Sequence, residues 1–272
     1  MRVKGWIFGV AALALIVCGC DGDGKAARAR LDKAREMYAA NDLFGAKNEI
    51  DSIRALYPKE VDVLRESLSL MREVELREAE RNIAYCDSLL PIKEAEAAEL
   101  TKGFTFEKDS VYEEVGNYIW KQQTIERNVQ RCYIRCGVSE KGEMYLASVY
   151  FGGHPISHTG IRLSLKDGQF ATTASIPFDG GLNYRFKDMG NTTEVVTYKG
   201  ENGMEAIKFI YVNQKERIKV EYTGGKPYVI YIADGDKRAI VATYDLATVL
   251  SDVENMRTLK AKSEKKIAYL KA

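Results

Sequence analysis

The chain changes its local pattern once, near residue 103, and that change limits the folds open to it. Glycine is absent from Ala46 to Lys102, and proline stands only at positions 58 and 91 between residues 25 and 100. Both residues weaken helix interiors, so a long stretch nearly free of them reads as helix. Beyond about Thr105, Gly, Tyr, Thr and Val become frequent and apolar residues recur with a period of two, the signature of strands with one buried face. Helices followed by a block of strands make an α+β chain.

Within the helical part, Leu31, Ala34 and Tyr38 fall three and four apart, and Leu43, Ala46, Ile50, Ile53 and Tyr57 continue the spacing. Each set lays an apolar stripe along one helix face. Ala40-Asn41-Asp42 is predicted as the turn between them, with Asp42 capping the second helix. Pro58 ends that helix or opens the next. From 59 to 90, Val61, Leu64, Leu68 and Met71 form one stripe, and Leu76, Ala79, Ile83, Cys86 and Leu90 form another. Charged residues fill the remainder, as in a coiled-coil-like hairpin. Cys86 on that stripe is expected to be buried and inert.

In the strand-rich part, Ile161, Leu163 and Leu165 alternate with Arg162, Ser164 and Lys166, and Asp167-Gly168 follows as a hairpin turn. Ile218, Val220 and Tyr222 alternate in the same way. Met144–Phe151 and Ala206–Val212 are apolar on both faces and are predicted as central strands. Turn signals recur at Gly142, Gly180-Gly181, Gly190-Asn191, Asn202-Gly203, Gly224-Gly225 and Asp234-Gly235. That spacing implies about nine or ten antiparallel strands, a meander closing as a sandwich, barrel or half-open clam. A final helix is expected from about Asp245, with Leu246, Val249, Val253 and Met256 on one face.

The first twenty residues form an export signal: Arg2 and Lys4, the apolar run Trp6–Val17, then Val17-Cys18-Gly19-Cys20. That run of 12 residues makes about 18 Å of helix, against roughly 30 Å of bilayer hydrocarbon. An uncleaved anchor or an ordinary signal peptide is the plain alternative. The last four residues resemble the lipobox of bacterial lipoproteins, with the unusual Cys18 in its tolerant second slot. The resemblance implies that Cys20 takes diacylglycerol and a further acyl chain after cleavage, enough lipid for stable anchoring. Asp21-Gly22-Asp23-Gly24 is predicted as a flexible acidic tether, similar to the segment that follows the lipidated cysteine in envelope lipoproteins of Bacteroidota. In enterobacteria Asp after that cysteine favours inner-membrane retention. The outer membrane is expected over the inner one, with leaflet and face left open. The helical pair at 34–58 resembles one tetratricopeptide repeat through Ala34, Met37, Leu43, Ala46, Ile50, Ile53 and Pro58. Asn41 replaces its turn glycine, Ile53 replaces a small residue, and residues 59–90 do not repeat the pattern. Such arrays need about three repeats to bury a core, so no peptide groove follows.

Charge is nearly balanced, 40 basic residues against 39 acidic, and no basic field points to nucleic acid. Beyond Cys20 there are only Cys86, Cys132 and Cys136, too few for a disulfide scaffold. Cys132-x3-Cys136 and His154-x3-His158 suggest a two-Cys, two-His zinc site. Three facts oppose it: Pro155 separates the histidines, an export compartment protects thiolates poorly, and the cysteines lie in an alternating strand. Four strand residues span about 13 Å, which also forbids a disulfide between them. We therefore expect neither metal nor cofactor, and inward-facing thiols beside Ile134.

The loop from Gly152 to Gly160 carries His154, Ser157 and His158 and is the first place to look for a ligand. No nucleophile elbow surrounds Ser157 and no acid partner can be assigned, so a surface hairpin loop is the bland alternative. Tyrosines and phenylalanines crowd the strand region and are expected mainly in the core, with sugar stacking or a lipid cleft as the alternative.

The expected organisation is a signal peptide at 1–19, a lipidated tether at 20–24, a helical stalk at 25–102, an antiparallel β domain at 103–243 and a C-terminal helix at 244–272. The C-terminal helix is expected to pack with the stalk. The expected function is non-enzymatic binding or scaffolding at the membrane, toward an envelope protein or glycan. A lipid or glycan carrier is the alternative, and a hydrolase a more distant one.

Overall fold

The computed structural model describes residues 20–108 and 114–272. The expected signal peptide, including Val17-Cys18-Gly19, lies outside the described residues. These residues form an α+β fold with ten strands in two antiparallel sheets and no closed barrel. They fall into two compact units: one reaches to Ile83 and includes Lys262–Ala272, and the other is Ala84–Ala261.

The first unit contains α1 (Cys20–Ala39), α2 (Leu43–Leu56) and the beginning of α3 (Val61–Thr101). The stripes expected on the first two helices are buried: Leu31, Ala34, Leu43, Ala46, Ile50 and Ile53 share one core with Val63, Leu70 and Val74. The stripe expected at Val61, Leu64, Leu68 and Met71 is corrected: Val61 and Leu68 are exposed, Leu64 and Met71 only border the core, and α3 presents Val63, Leu70 and Val74 instead. The Asp42 side chain accepts from the Gly45 amide at 2.8 Å and caps α2. Asn41 takes the left-handed backbone of the turn, φ 64°, which Asn tolerates better than most residues. The acidic stretch predicted as a tether is instead the first turn of α1. Asp23 there opposes the positive end of the helix dipole, which offsets part of the cost of Gly22 and Gly24. At the end of α5 (Asp234–Lys271), Lys266 and Lys271 pair with Glu75 and Glu80.

In the second unit the six-stranded sheet runs β1 (Phe104–Glu107), β2 (Asn117–Trp120), β3 (Tyr133–Ser139), β4 (Met144–Gly152), β8 (Asn191–Lys199), β7 (Asn183–Asp188). The four-stranded sheet runs β10 (Tyr228–Tyr231), β9 (Lys219–Thr223), β5 (Gly160–Ser164), β6 (Phe170–Thr172). The hairpin at Asp167-Gly168 and the central place of β4 agree with the pattern of the sequence. Inward residues of both sheets, among them Ile134, Leu146, Ile161 and Val220, share a core with α4 (Glu201–Val212) and α5. Lys93–Asp252, Arg257–Glu94 and Lys260–Asp87 link α3 to α5 inside this unit.

Two elements correct the sequence expectation. Residues 206–212 are not a central strand but the end of α4, whose buried face is Gly203, Ala206, Ile207 and Ile210. That spacing is helical, but a short run apolar on every side has no period to read. The last helix begins at Asp234, about ten residues earlier than expected, because Asp234 and Asp236 in its first turn suit a helix N-terminus as well as a turn. Its expected buried face, Leu246, Val249, Val253 and Met256, is buried.

Candidate functional site

The segment 153–159 links β4 of one sheet to β5 of the other, so it is a crossover and not a hairpin loop. His154 is exposed and its carbonyl accepts from the Tyr150 hydroxyl at 2.9 Å. Ser157 Oγ is exposed and accepts from Arg185 Nη1 at 3.0 Å. His158 turns inward and is 1% exposed. The three side chains therefore do not converge on one point.

His158 joins a buried chain that the sequence does not announce. Its Nε2 lies 2.9 Å from Ser148 Oγ and its Nδ1 lies 2.9 Å from Glu194 Oε2. Ser148 Oγ also meets the Tyr198 hydroxyl at 2.9 Å. The Glu194 carboxylate further accepts from the amides of Ser157 at 2.8 Å and His158 at 3.2 Å. The order Ser, His, Glu resembles a hydrolytic triad in its connections. Ser148 has no exposed surface and Glu194 is 2% exposed, and the His158 ring packs edge-on against Tyr222. No substrate can reach the hydroxyl without opening the core. What the chain does is fasten the crossover to β8.

Burial alone would raise the Glu194 carboxyl, but the hydrogen bonds from His158 and from the two amides outweigh it and hold the group below its ordinary range. A carboxylate with a depressed folded value stabilises the fold above its unfolded value and loses that contribution as pH falls through the folded value. The unfolding free-energy difference between wild type and Glu194→Gln is thus expected to be largest above about pH 4.3 and to shrink in more acidic buffer. Urea titrations of both proteins across that range check it, and a gap that widens with acid would refute it. Asp236 works in the opposite sense: burial raises its carboxyl against the pull of Gln123 and Arg131, so ionising it costs the fold.

The four residues weighed for zinc stay apart in their contacts. Cys132 Sγ faces the Phe151 carbonyl and the Tyr228 hydroxyl. Cys136 Sγ faces Thr243 and Gln123, and burial pushes its thiol up to about 12. Both thiols pack on the core with Ile134, as the strand alternation implies. Among the described residues no three His, Cys, Asp or Glu side chains are placed to hold a metal ion.

A surface groove lined by aromatic rings lies on the other face of the six-stranded sheet. Register places Tyr133, Val149, Val195 and Tyr184 in one cross-strand row, and Phe151, Thr193 and Phe186 in the next. The Tyr184 and Phe186 rings are nearly parallel, 15° apart with centroids at 6.5 Å, and Phe186 is 51% exposed. Ile125 and Val129, both exposed, form the opposite wall on the segment before β3. That wall is built, not draped. Gln123, 1% exposed, donates to the Ile134 carbonyl and to Asp236 and accepts from the Cys136 amide. Arg131 pairs with Asp236, donates to Asn128 Oδ1 at 2.6 Å, and places its guanidinium 4.9 Å from the centre of the Tyr133 ring. The groove between the walls has a volume of about 160 Å³. It adjoins a wider hollow of about 970 Å³ toward Tyr145, Thr197 and Lys199, and Arg135 borders both.

Sequence reasoning points to the crossover and misses the groove. The aromatic content was visible, but five of its rings (Tyr133, Tyr145, Phe151, Tyr184 and Phe186) share this face only through the strand order β3-β4-β8-β7. No family model, curated protein or solved structure matches this chain.

Proposed function

We propose that the chain is a lipid-anchored protein of the bacterial envelope that binds carbohydrate in the groove on its six-stranded sheet, without acting on it chemically. The anchor rests on the lipobox Val17-Cys18-Gly19-Cys20. No helix among the described residues is long and apolar enough to cross a membrane. The observation that carries the binding reading is the groove itself: the exposed ring of Phe186 beside the half-buried Tyr184, on a floor that includes buried Tyr133, Val149 and Val195, with a wall held by buried hydrogen bonds. Such preorganisation spares a ligand the cost of ordering the site. The space between the sheets is filled by side chains, which disfavours a lipid carrier with an acyl chain inside the β unit. The buried position of Ser148 and the separate contacts of Ser157 and His158 favour binding over hydrolysis.

Metabolic labelling with radioactive palmitate tests the anchor. Wild type is expected to be labelled and Cys20→Ala not at all; an unlabelled wild type would sink the lipoprotein reading. For the groove, retention of envelope polysaccharide on the immobilised protein is expected to fall about tenfold in Phe186→Ala, as for loss of about 1.4 kcal/mol of ring contact. Equal retention by wild type and variant would remove the groove from consideration.

A further inference from the structure

We infer that the ligand of this groove is an acidic sugar: a pyranose ring seated against Tyr184 and Phe186 whose carboxylate meets the Arg135 guanidinium. This rests on the groove reading above and goes beyond it by naming the ligand's charge and size. Size comes first. A cavity of about 150 Å³ accepts a single six-membered ring such as benzene, and the groove measures about 160 Å³. It holds one ring, while the adjoining hollow leaves room for further residues of a chain.

Charge comes second. Arg135 stands on β3 between Tyr133 and Gly137 on the outer face, and its row continues through Ala147 to Thr197, both small. The small side chains leave the guanidinium bordering open space on both sides. Its Nε is shut away from solvent and has no hydrogen-bond acceptor. Its neighbours include the phenol of Tyr133, which shares a side-chain hydrogen bond with it, and the phenol of Tyr145; burial raises both, Tyr145 to about 12. Those phenols stay neutral and offer no counter-charge. Asp188, Glu114 and Glu143 lie on the rims, yet none of the described carboxylates forms an ion pair with Arg135, whereas nearby Arg131 is neutralised by Asp236. A guanidinium that is partly desolvated and uncompensated gains more from an arriving anion than an exposed one does. Its planar fork also matches a carboxylate in two-point contact. The polar rim groups Gln130 and Thr193 suit a hydroxylated ring better than a purely aromatic acid.

The test is calorimetric titration of the full lipidated chain in detergent with digalacturonate and with its neutral counterpart, galactobiose. Wild type is expected to bind the acid at least tenfold more tightly, and added salt is expected to narrow the gap. Arg135→Gln is expected to erase the preference, and Arg135→Lys to keep part of it because the charge remains but the fork is lost. A thermal melt of each variant separates loss of recognition from loss of fold. Equal affinity for the two sugars, or an unchanged preference in a folded Arg135→Gln protein, overturns the acidic-sugar inference. If equal binding also disappears in Phe186→Ala, the groove reading survives that failure. Binding of neither sugar overturns both.

Discussion

Replacing Glu194 by alanine is expected to lower the unfolding free energy of the β unit by about 3–5 kcal/mol, the cost of leaving a buried polar partnership half made. Three N–H groups converge on that carboxylate: the amides of Ser157 and His158 and Nδ1 of His158. Alanine would leave all three without an acceptor in a site where Glu194 is 2% and His158 1% exposed. The crossover between the sheets would lose its attachment to β8, and Ser148 and Tyr198 would lose the fixed imidazole at the end of their chain. Trp120 in β2 reports the transition by fluorescence; Trp6, the other tryptophan, lies outside the described residues. A urea midpoint displaced by less than the equivalent of about 1 kcal/mol would mean that the carboxylate is not the fastener described.

Gly142→Ala is the second large effect, expected at about 2–4 kcal/mol, and it separates two physical costs. The turn from β3 to β4 places Gly142 at φ +85°, a backbone that an L side chain rarely adopts. A Cβ there would also stand 2.4 Å from the Ser251 amide nitrogen and 2.8 Å from the Ala247 carbonyl of α5. Backbone of a packed helix cannot swing aside as a side-chain tip can, so the turn must lift off α5. Gly168 supplies the comparison. Its φ is +94°, but a Cβ added there meets nothing within 4 Å. Gly168→Ala therefore carries the backbone strain alone, about 1 kcal/mol. Equal losses in the two variants, measured by denaturant titration, would show that the contact with α5 adds nothing.

How far the sequence could be read depended on whether the deciding partners were close along the chain. The α1–α2 hairpin was legible because its stripes and its Asp42 cap are set by spacings of three and four. The Asp167-Gly168 and Gly224-Gly225 turns were legible because alternation flanks them. The last turns of α4 were not, because Ala206–Val212 is apolar on every side and only packing reveals which face matters. Glu194 was illegible as the partner of His158: 36 residues separate them, and only the register of β4 against β8 brings them together. The groove was illegible for the same reason. Tyr133 and Tyr184 belong to one row only after Val149 and Val195 have been placed between them.

The composition of the two cores carries a consequence for how the chain is made. The core of α1, α2 and the start of α3 is complete between Ala27 and Val74, so it can close while the remainder is still emerging. The β core draws on Ala97 and Phe104 at its beginning and on Ala239, Ile240, Leu246 and Leu250 near its end. Its four-stranded sheet also waits for β9 to return to β5, a pairing such as Arg162 with Glu221. Non-local pairings of this kind form slowly, and exposed apolar strands invite aggregation meanwhile. A chain delivered from its N-terminus therefore carries a finished helical hairpin and an open, adhesive sheet until α5 arrives. Protection of that interval, by a chaperone or by rapid delivery, is a requirement written into the order of its elements.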